Sequence, residues 1–252
     1  MLRSQYEQLI VSRMNQQDYR EHAEVLFSAH SCGIEGNSFT VDDTRSLKEL
    51  GLGMVLPKGK RLYECFEVAD HFRAFEYVMD NLQQPLDESL LKEVNRLVTQ
   101  HTIEYKAEGA VAGEYTQTDM AAGDTVFGNH EQLVKRVPQL LESTERAILA
   151  ASAHPMIIAA RFHGYFEYLH PFRDGNGRTG RLLSNYILMR MGHPLVVVRK
   201  EEREAYIDAL RMIRREGTDE HLIAFFFNVA ISHFKEDLHQ ISRNNSFGAF
   251  LF

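Results

Sequence analysis

Between His170 and Arg181 the chain reads His-Pro-Phe-Arg-Asp-Gly-Asn-Gly-Arg-Thr-Gly-Arg. Gly175 and Gly177 flank Asn176, and their conformational freedom lets successive backbone N–H groups turn inward as an anion cradle. A helix starting there adds the positive end of its dipole. Arg178 and Arg181, three residues apart, fall on one face of its first turn. Each cation opposes that dipole by roughly 0.3–1 kcal/mol, which a bound anion would offset. Cradle, dipole and two guanidiniums together describe a polyphosphate site. Asp174 adds a hard oxygen suited to Mg²⁺ shared between protein and phosphates. His170 closes the preceding segment with an imidazole able to take a proton from an attacking hydroxyl. Phe172 reads as an anchor beneath the loop.

These residues need a helix before the loop and another after it. Ile157, Ile158, Phe162, Tyr165, Phe166 and Leu169 recur at helical spacing, so a helix over 155–169 delivers His170. A second helix, from about 177 to 191, carries the arginines. Gly175 to Gly180 also satisfies the literal pattern G-x-G-x-x-G. That dinucleotide fingerprint requires a preceding strand and an acid about 20 residues on. Val197 stands at the acid's position, and the context excludes the reading. Further helices are predicted over 5–30, from Thr40, and over 64–82, 86–105, 130–150, 201–215 and 219–240. Leu9, Ile10 and Met14 contribute to the apolar face of the first. The Gly-, Thr- and Ala-rich stretch from Gly109 to Phe127, with Gly123-Asp124 as its turn, predicts an irregular hairpin. The apolar end Ser246–Phe252 is expected to dock on the protein's own surface.

The 252 residues are 44% hydrophobic and 25% charged, a globular balance that excludes disorder and coiled coil. A formal net charge of −7 opposes non-specific binding of nucleic acid. Two cysteines, Cys32 and Cys65, are too few for a disulfide scaffold or a four-thiolate zinc site. His154, His163 and His193 lack zinc-helix spacing and read as structural. With no signal-peptide h-region and no bilayer-length apolar run, the expectation is a cytoplasmic protein without membrane contact.

His170 to Arg181 matches H-x-F-x-[D/E]-G-N-G-R-x-x-R at all eight specified positions, so the chain resembles the Fic family. The resemblance spans about 25–230 and implies a mainly α-helical bundle with a β-hairpin flap beside the active loop. It implies transfer of AMP from ATP to a Ser, Thr or Tyr hydroxyl of a protein target, with Mg²⁺. Carried over, His170 is the general base and Asp174 the Mg²⁺ ligand. Gly175, Asn176 and Gly177 form the cradle, and Arg178 and Arg181 clamp the phosphates. The flap, with 113–127 in its position, would dock the target through Met120, Ala121 and Ala122, although Thr116 replaces an arginine common in the family. The resemblance divides the chain into an N-terminal helical region 1–105, a core 106–240 and a tail 241–252. It also allows a homodimer.

Ser31 to Gly36 fits the family's inhibitory pattern [S/T]-x-x-x-E-[G/N], on a helix at about 22–36. Glu35 sits there at the negative end of a helix dipole, so it and the misplaced arginines are natural partners. The expectation is that Glu35 pairs with Arg181, near Ser31, and obstructs productive ATP binding. Glu35 could instead orient water to remove AMP from a modified protein. Other readings keep the loop but transfer a different phosphate-containing group, or use ATP occupancy only as a regulatory signal.

Overall fold

The computed structural model describes residues 1–8, 16–53, 56–122 and 125–248, with side chains over 1–8, 19–53, 56–121 and 125–239. Its α-helices are, in order, α1 (Leu2–Tyr6), α2 (Gln16–Ile34), α3 (Val41–Leu50), α4 (Leu62–Asp80), α5 (Glu88–Thr99), α6 (Ile103–Lys106), α7 (Leu133–Leu149), α8 (Pro155–Leu169), α9 (Asn176–Arg190), α10 (Arg203–Glu216) and α11 (Glu220–Gly248). Two strands, β1 (Ala121–Ala122) and β2 (Thr125–Val126), pair antiparallel with Ala121 opposite Val126. The fold is mainly α, and what lies in the hairpin position is a two-residue pair. Leu9, Ile10, Met14 and the Gly123-Asp124 turn lie outside the described residues, as do the side chains of the 246–252 tail.

The helix α9 occupies the centre. Twelve of its 15 residues are buried, and α8, α5, α4 and α2 pack around it. Phe162, Phe166, Leu169 and Phe172 from the α8 side meet Leu182, Leu183, Tyr186 and Ile187 in one core. A helix buried on almost every side cannot carry unpaired cations, so its arginines must find carboxylates inside the protein.

Local signals explain several boundaries. Thr40 caps α3 in a reciprocal box with Asp43, its hydroxyl accepting from Asp43 N at 3.1 Å. Asp87 caps α5 by accepting from Leu90 N at 2.9 Å. Gly36, at φ 97°, ends α2 in the left-handed region. The helix expected to end near residue 30 runs to Ile34, and two further boundaries differ from the sequence expectation. The single helix over 86–105 is divided, because the His101 N–H leaves the helical ladder to reach buried Asp70 Oδ2 at 2.9 Å. The Thr99 hydroxyl meanwhile donates to Asn95 O at 2.8 Å. The last helix runs on to Gly248 rather than ending near 240. Among the described residues, no helix is long and apolar enough to cross a membrane.

Candidate active site

The loop between α8 and α9 is closed by its own side chain. Asn176, buried, accepts from Phe172 N at 2.9 Å and donates to Phe172 O at 2.7 Å. Gly175, at φ 78°, makes the left-handed turn into α9, and a Cβ there would lie 2.6 Å from Thr99 Cγ2. Phe172 is fully buried, with its ring 5.5 Å from Tyr115 and 6.4 Å from Phe166, the anchoring position expected of it. Asn95 of α5 donates to Asp174 O at 3.0 Å and Thr179 Oγ1 at 3.2 Å, and accepts from Gly113 N at 3.1 Å. It thereby ties the loop to the segment leading into the hairpin.

The two arginines diverge. Arg178 is 1% exposed and pairs with Asp174 Oδ2 at 2.8 Å and with Glu67 Oε1 of α4 at 3.1 Å. Three-residue spacing suggested that both guanidiniums share one face toward a ligand. In the structure Arg178 is itself buried and its partner Glu67 lies inside the protein, so its guanidinium points away from the cavity that Arg181 lines. Arg181, also buried, turns toward the end of α2. It donates to Ser31 Oγ at 3.1 Å, Ser31 O at 2.9 Å and Glu35 Oε1 at 2.7 Å, and reaches the Tyr206 hydroxyl at 3.4 Å. Burial works against its charge, and the Glu35 carboxylate and Tyr206 outweigh it, so its pKa lies above the ordinary value. Glu35 itself is 36% exposed. Its carboxylate lies against Gly177, where an added Cβ would overlap Oε1. A side chain at this position would push the Glu35 carboxylate out of its present place. Arg203 of α10 holds the same helix end, donating from Nε to Ile34 O at 2.8 Å.

His170 ends α8 in the left-handed conformation, φ 49° and ψ 59°, unusual for a residue with a side chain. Its backbone N–H bonds Phe166 O at 2.9 Å, and its ring stacks on Phe127 at 3.8 Å between centroids. One turn back, Glu167 Oε2 is 3.6 Å from His170 Nδ1. Burial pushes the Glu167 carboxyl up, but His170, His163 and Arg181 together hold it below the usual carboxylate range. His163 is fully buried, with Nε2 2.5 Å from the Tyr206 hydroxyl, and burial lowers its pKa to about 4. His154 accepts from Met156 N at the start of α8, and His193 Nδ1 lies 2.8 Å from Pro194 O. All three serve structure, as the sequence suggests.

Glu35, Glu167, His170, Gly177, Arg181 and Tyr206 line one cavity of about 370 Å³. Thr125 and Phe127, at the hairpin's descending side, form part of its wall. The hairpin is fastened by Arg214 of α10. Its guanidinium donates to Val126 O at 2.9 Å, Glu167 O at 3.1 Å and Tyr168 O at 3.0 Å, and lies 5.0 Å from the Phe127 ring centre. Met120 Sδ accepts from Arg173 Nη1 at 3.0 Å, and Ala121 is exposed. Ala122 belongs to β1, its side chain outside the described set.

Asp174 keeps part of its carboxylate open. Only its Oδ2 is engaged by Arg178, and its side chain is 22% exposed. No cluster of three His, Cys, Asp or Glu side chains occurs among the described residues. The Asp174 carboxylate is the loop's own residue that would hold a magnesium ion, a hard oxygen ligand of the kind the ion prefers.

Sequence reasoning misses Glu67, Asn95, Glu167 and Arg214. Three of them act across long sequence separations and leave no local signal. Glu167 alone left one, its three-residue spacing from His170 within a helix.

A mainly helical domain built around a closed glycine-flanked loop, with a histidine on one side and a buried arginine on the other, defines the class. Residues 85–188 match the Fic/DOC family. The protein adenylyltransferase Fic of Drosophila grimshawi is 35% identical over 188 residues, covering 73% of this chain and 36% of that protein. The Drosophila melanogaster protein of the same name is 33% identical over the same length. In three dimensions the chain is similar to a Fic domain containing signaling protein from Bacteroides thetaiotaomicron, with a TM-score of 0.80, 22% identity and coverage of 93% and 92% of the two chains. It is also similar to Fic-1 from C. elegans, with a TM-score of 0.76, 24% identity and coverage of 96% and 70%. The chain belongs to the Fic/DOC family. It spans about a third of the length of the curated relatives it matches.

Proposed function

We propose that the chain is a self-inhibited protein adenylyltransferase, with Glu35 as the brake. The observation that carries the reading is the 2.7 Å pair between Glu35 and Arg181 at the mouth of the loop. Arg181 is the one motif arginine whose guanidinium lines the cavity, and its Nη2 is already shared by Glu35 and Ser31 O. A triphosphate whose end must bond Arg181 therefore competes with a carboxylate at the same atoms. ATP held without that contact has its α-phosphorus out of line for attack.

With Glu35 displaced, the loop's N–H groups and Arg181 bind the phosphates and fix their direction. The target hydroxyl oxygen forms a bond to the α-phosphorus while the bond to the bridging oxygen breaks. Pyrophosphate leaves with that electron pair, and His170 Nε2 takes the hydroxyl proton. Mg²⁺ at Asp174 would supply neutralisation of phosphate charge. Arg178 works from inside, orienting Asp174 rather than touching the nucleotide. The hairpin, with Met120, Ala121 and Ala122 on its ascending side, offers a short edge to an extended target segment. Positioning and electrostatics do most of the work in such transfers.

Glu35→Gly tests this directly. Incubated with Mg²⁺ and α-labelled ATP in cell extract, the variant should label proteins, or itself, at least tenfold more than the parent. The adduct should have the mass of AMP, and adding His170→Ala should abolish it. Equal labelling by parent and variant would remove Glu35 from the account, and a bare phosphate adduct would replace the reaction.

A further inference from the structure

The Glu167 carboxylate and the His170 imidazole face each other as an unfinished pair. Glu167 Oε1 and His170 Nδ1 are buried, and neither has a hydrogen-bond partner among the described residues. Their separation through Oε2, 3.6 Å, is too long for a hydrogen bond and short enough for attraction. Buried polar atoms are nearly always satisfied, and catalytic contacts often stand long until substrate closes them. The backbone at His170 supports the same relation. A left-handed residue with a side chain persists only when its surroundings hold it, and here the Phe166 carbonyl and the Phe127 ring do so.

We infer that Glu167 is the positioning residue of the transfer reaction: it accepts the His170 Nδ1–H, leaving Nε2 as the free base that faces the hydroxyl, and balances the imidazolium once the proton has moved. The inference rests on the reading of His170 as the base. A neutral imidazole has one protonated nitrogen, and the bond made by the other side of the ring decides which. Among the described residues no backbone carbonyl accepts from His170 Nδ1. Glu167 itself carries the charge needed, being held ionised by its neighbours.

Other charges face this pair. Within the cavity they are Glu35 just after α2, Arg181 from α9, and Arg203, Arg211 and Arg214 from α10, with Tyr206 beside them. On α8, His163 remains neutral at working pH because burial keeps its pKa near 4. Asp174 stands four residues beyond His170 on the loop. These are cations for the most part, so His170 loses its chief stabilising anion when Glu167 is neutralised.

The test uses Glu35→Gly protein, whose labelling activity must first be present; its absence would count against the proposed reaction rather than against Glu167. In that background Glu167→Gln should lower kcat about 10²-fold, leave KM for ATP within about twofold, and move the acid limb of the pH–rate profile down by about one pH unit. Glu167→Asp should recover part of kcat. The tautomer is read independently of activity, by ¹⁵N shifts of the His170 ring in the parent protein. The Nδ1–H form should predominate there and decline in Glu167→Gln, with melting temperatures reported for each variant. An unmoved acid limb, or the Nε2–H tautomer in the parent, would overturn the inference.

Discussion

Glu67 offers the sharpest test of how the loop is held. This α4 residue is buried, with Oε1 3.1 Å from Arg178 and Oε2 accepting from Asn37 Nδ2 at 2.8 Å. Lys106 lies 3.7 Å away and is one-third exposed, so it contributes little. Replacing Glu67 with Ala leaves Arg178 only Asp174 as a charged partner and strands one amide hydrogen of Asn37. Removing one member of a buried pair costs about 3–5 kcal/mol. For a chain of this size each kcal/mol moves the melting temperature by about 2–4 °C, so the variant should melt roughly 6–20 °C lower. Glu67→Gln keeps the shape and the Asn37 bond and should fall between parent and Ala. Calorimetry with parallel urea titration measures both. A Glu67→Ala protein that melts within about 2 °C of the parent would refute the claim that Arg178 is held by a buried charge network. If Asp174 holds Mg²⁺ as proposed, the same variant, by loosening Arg178 beside it, should raise the Mg²⁺ concentration needed for labelling together with its loss of stability.

Two further outcomes are expected. Burial lowers the pKa of His163 and His30 to about 4 and that of His71 well below the usual imidazole value. Between about pH 6.5 and 4 the unfolded chain therefore binds more protons than the folded one, and stability present above pH 6.5 is lost as pH falls through that window. Glu24, whose burial beside Lys48 raises its carboxyl to about 7, acts in the opposite direction and is outnumbered. Urea midpoints should drop steadily from pH 7 to pH 4.5, and a flat profile would contradict the assignment of three neutral imidazoles. Arg214→Ala frees the hairpin from α8, so protease nicking within 113–127 should quicken while α8 itself stays folded. Limited proteolysis with mass mapping reads this, and unchanged cleavage would deny Arg214 its clamping role.

What the sequence made legible follows from where the determinants lie. The loop from His170 to Arg181 is a local object: a glycine pair, a capping turn and a helix start are written in consecutive residues, and the structure assembles them in that order. The meeting of Glu35 with Arg181 spans 146 positions, yet helix-end electrostatics and a short pattern identified both partners. Arg178 escaped because spacing assigns a face of a helix and says nothing of what covers it. The division at Thr99 escaped because Asp70, 31 residues before His101, competes for a backbone group that helical periodicity assumes to be satisfied internally. Asn95, Glu67 and Arg214 sit at positions where a polar residue on a helix would ordinarily face water. Only the packed arrangement turns them inward.

The double bridge from the Asn176 side chain to both backbone groups of Phe172 has a consequence for how the loop meets its guest. A ring closed in this way keeps its outline whether or not anything occupies it, since no part of the closure is borrowed from a ligand. The loop's N–H dipoles are aimed once, as the chain folds, and binding would need no rearrangement of them. The Glu35 carboxylate rests against this outline at Gly177 without forming any part of its closure, so moving that side chain would change what covers the loop and leave the loop's own shape as it is.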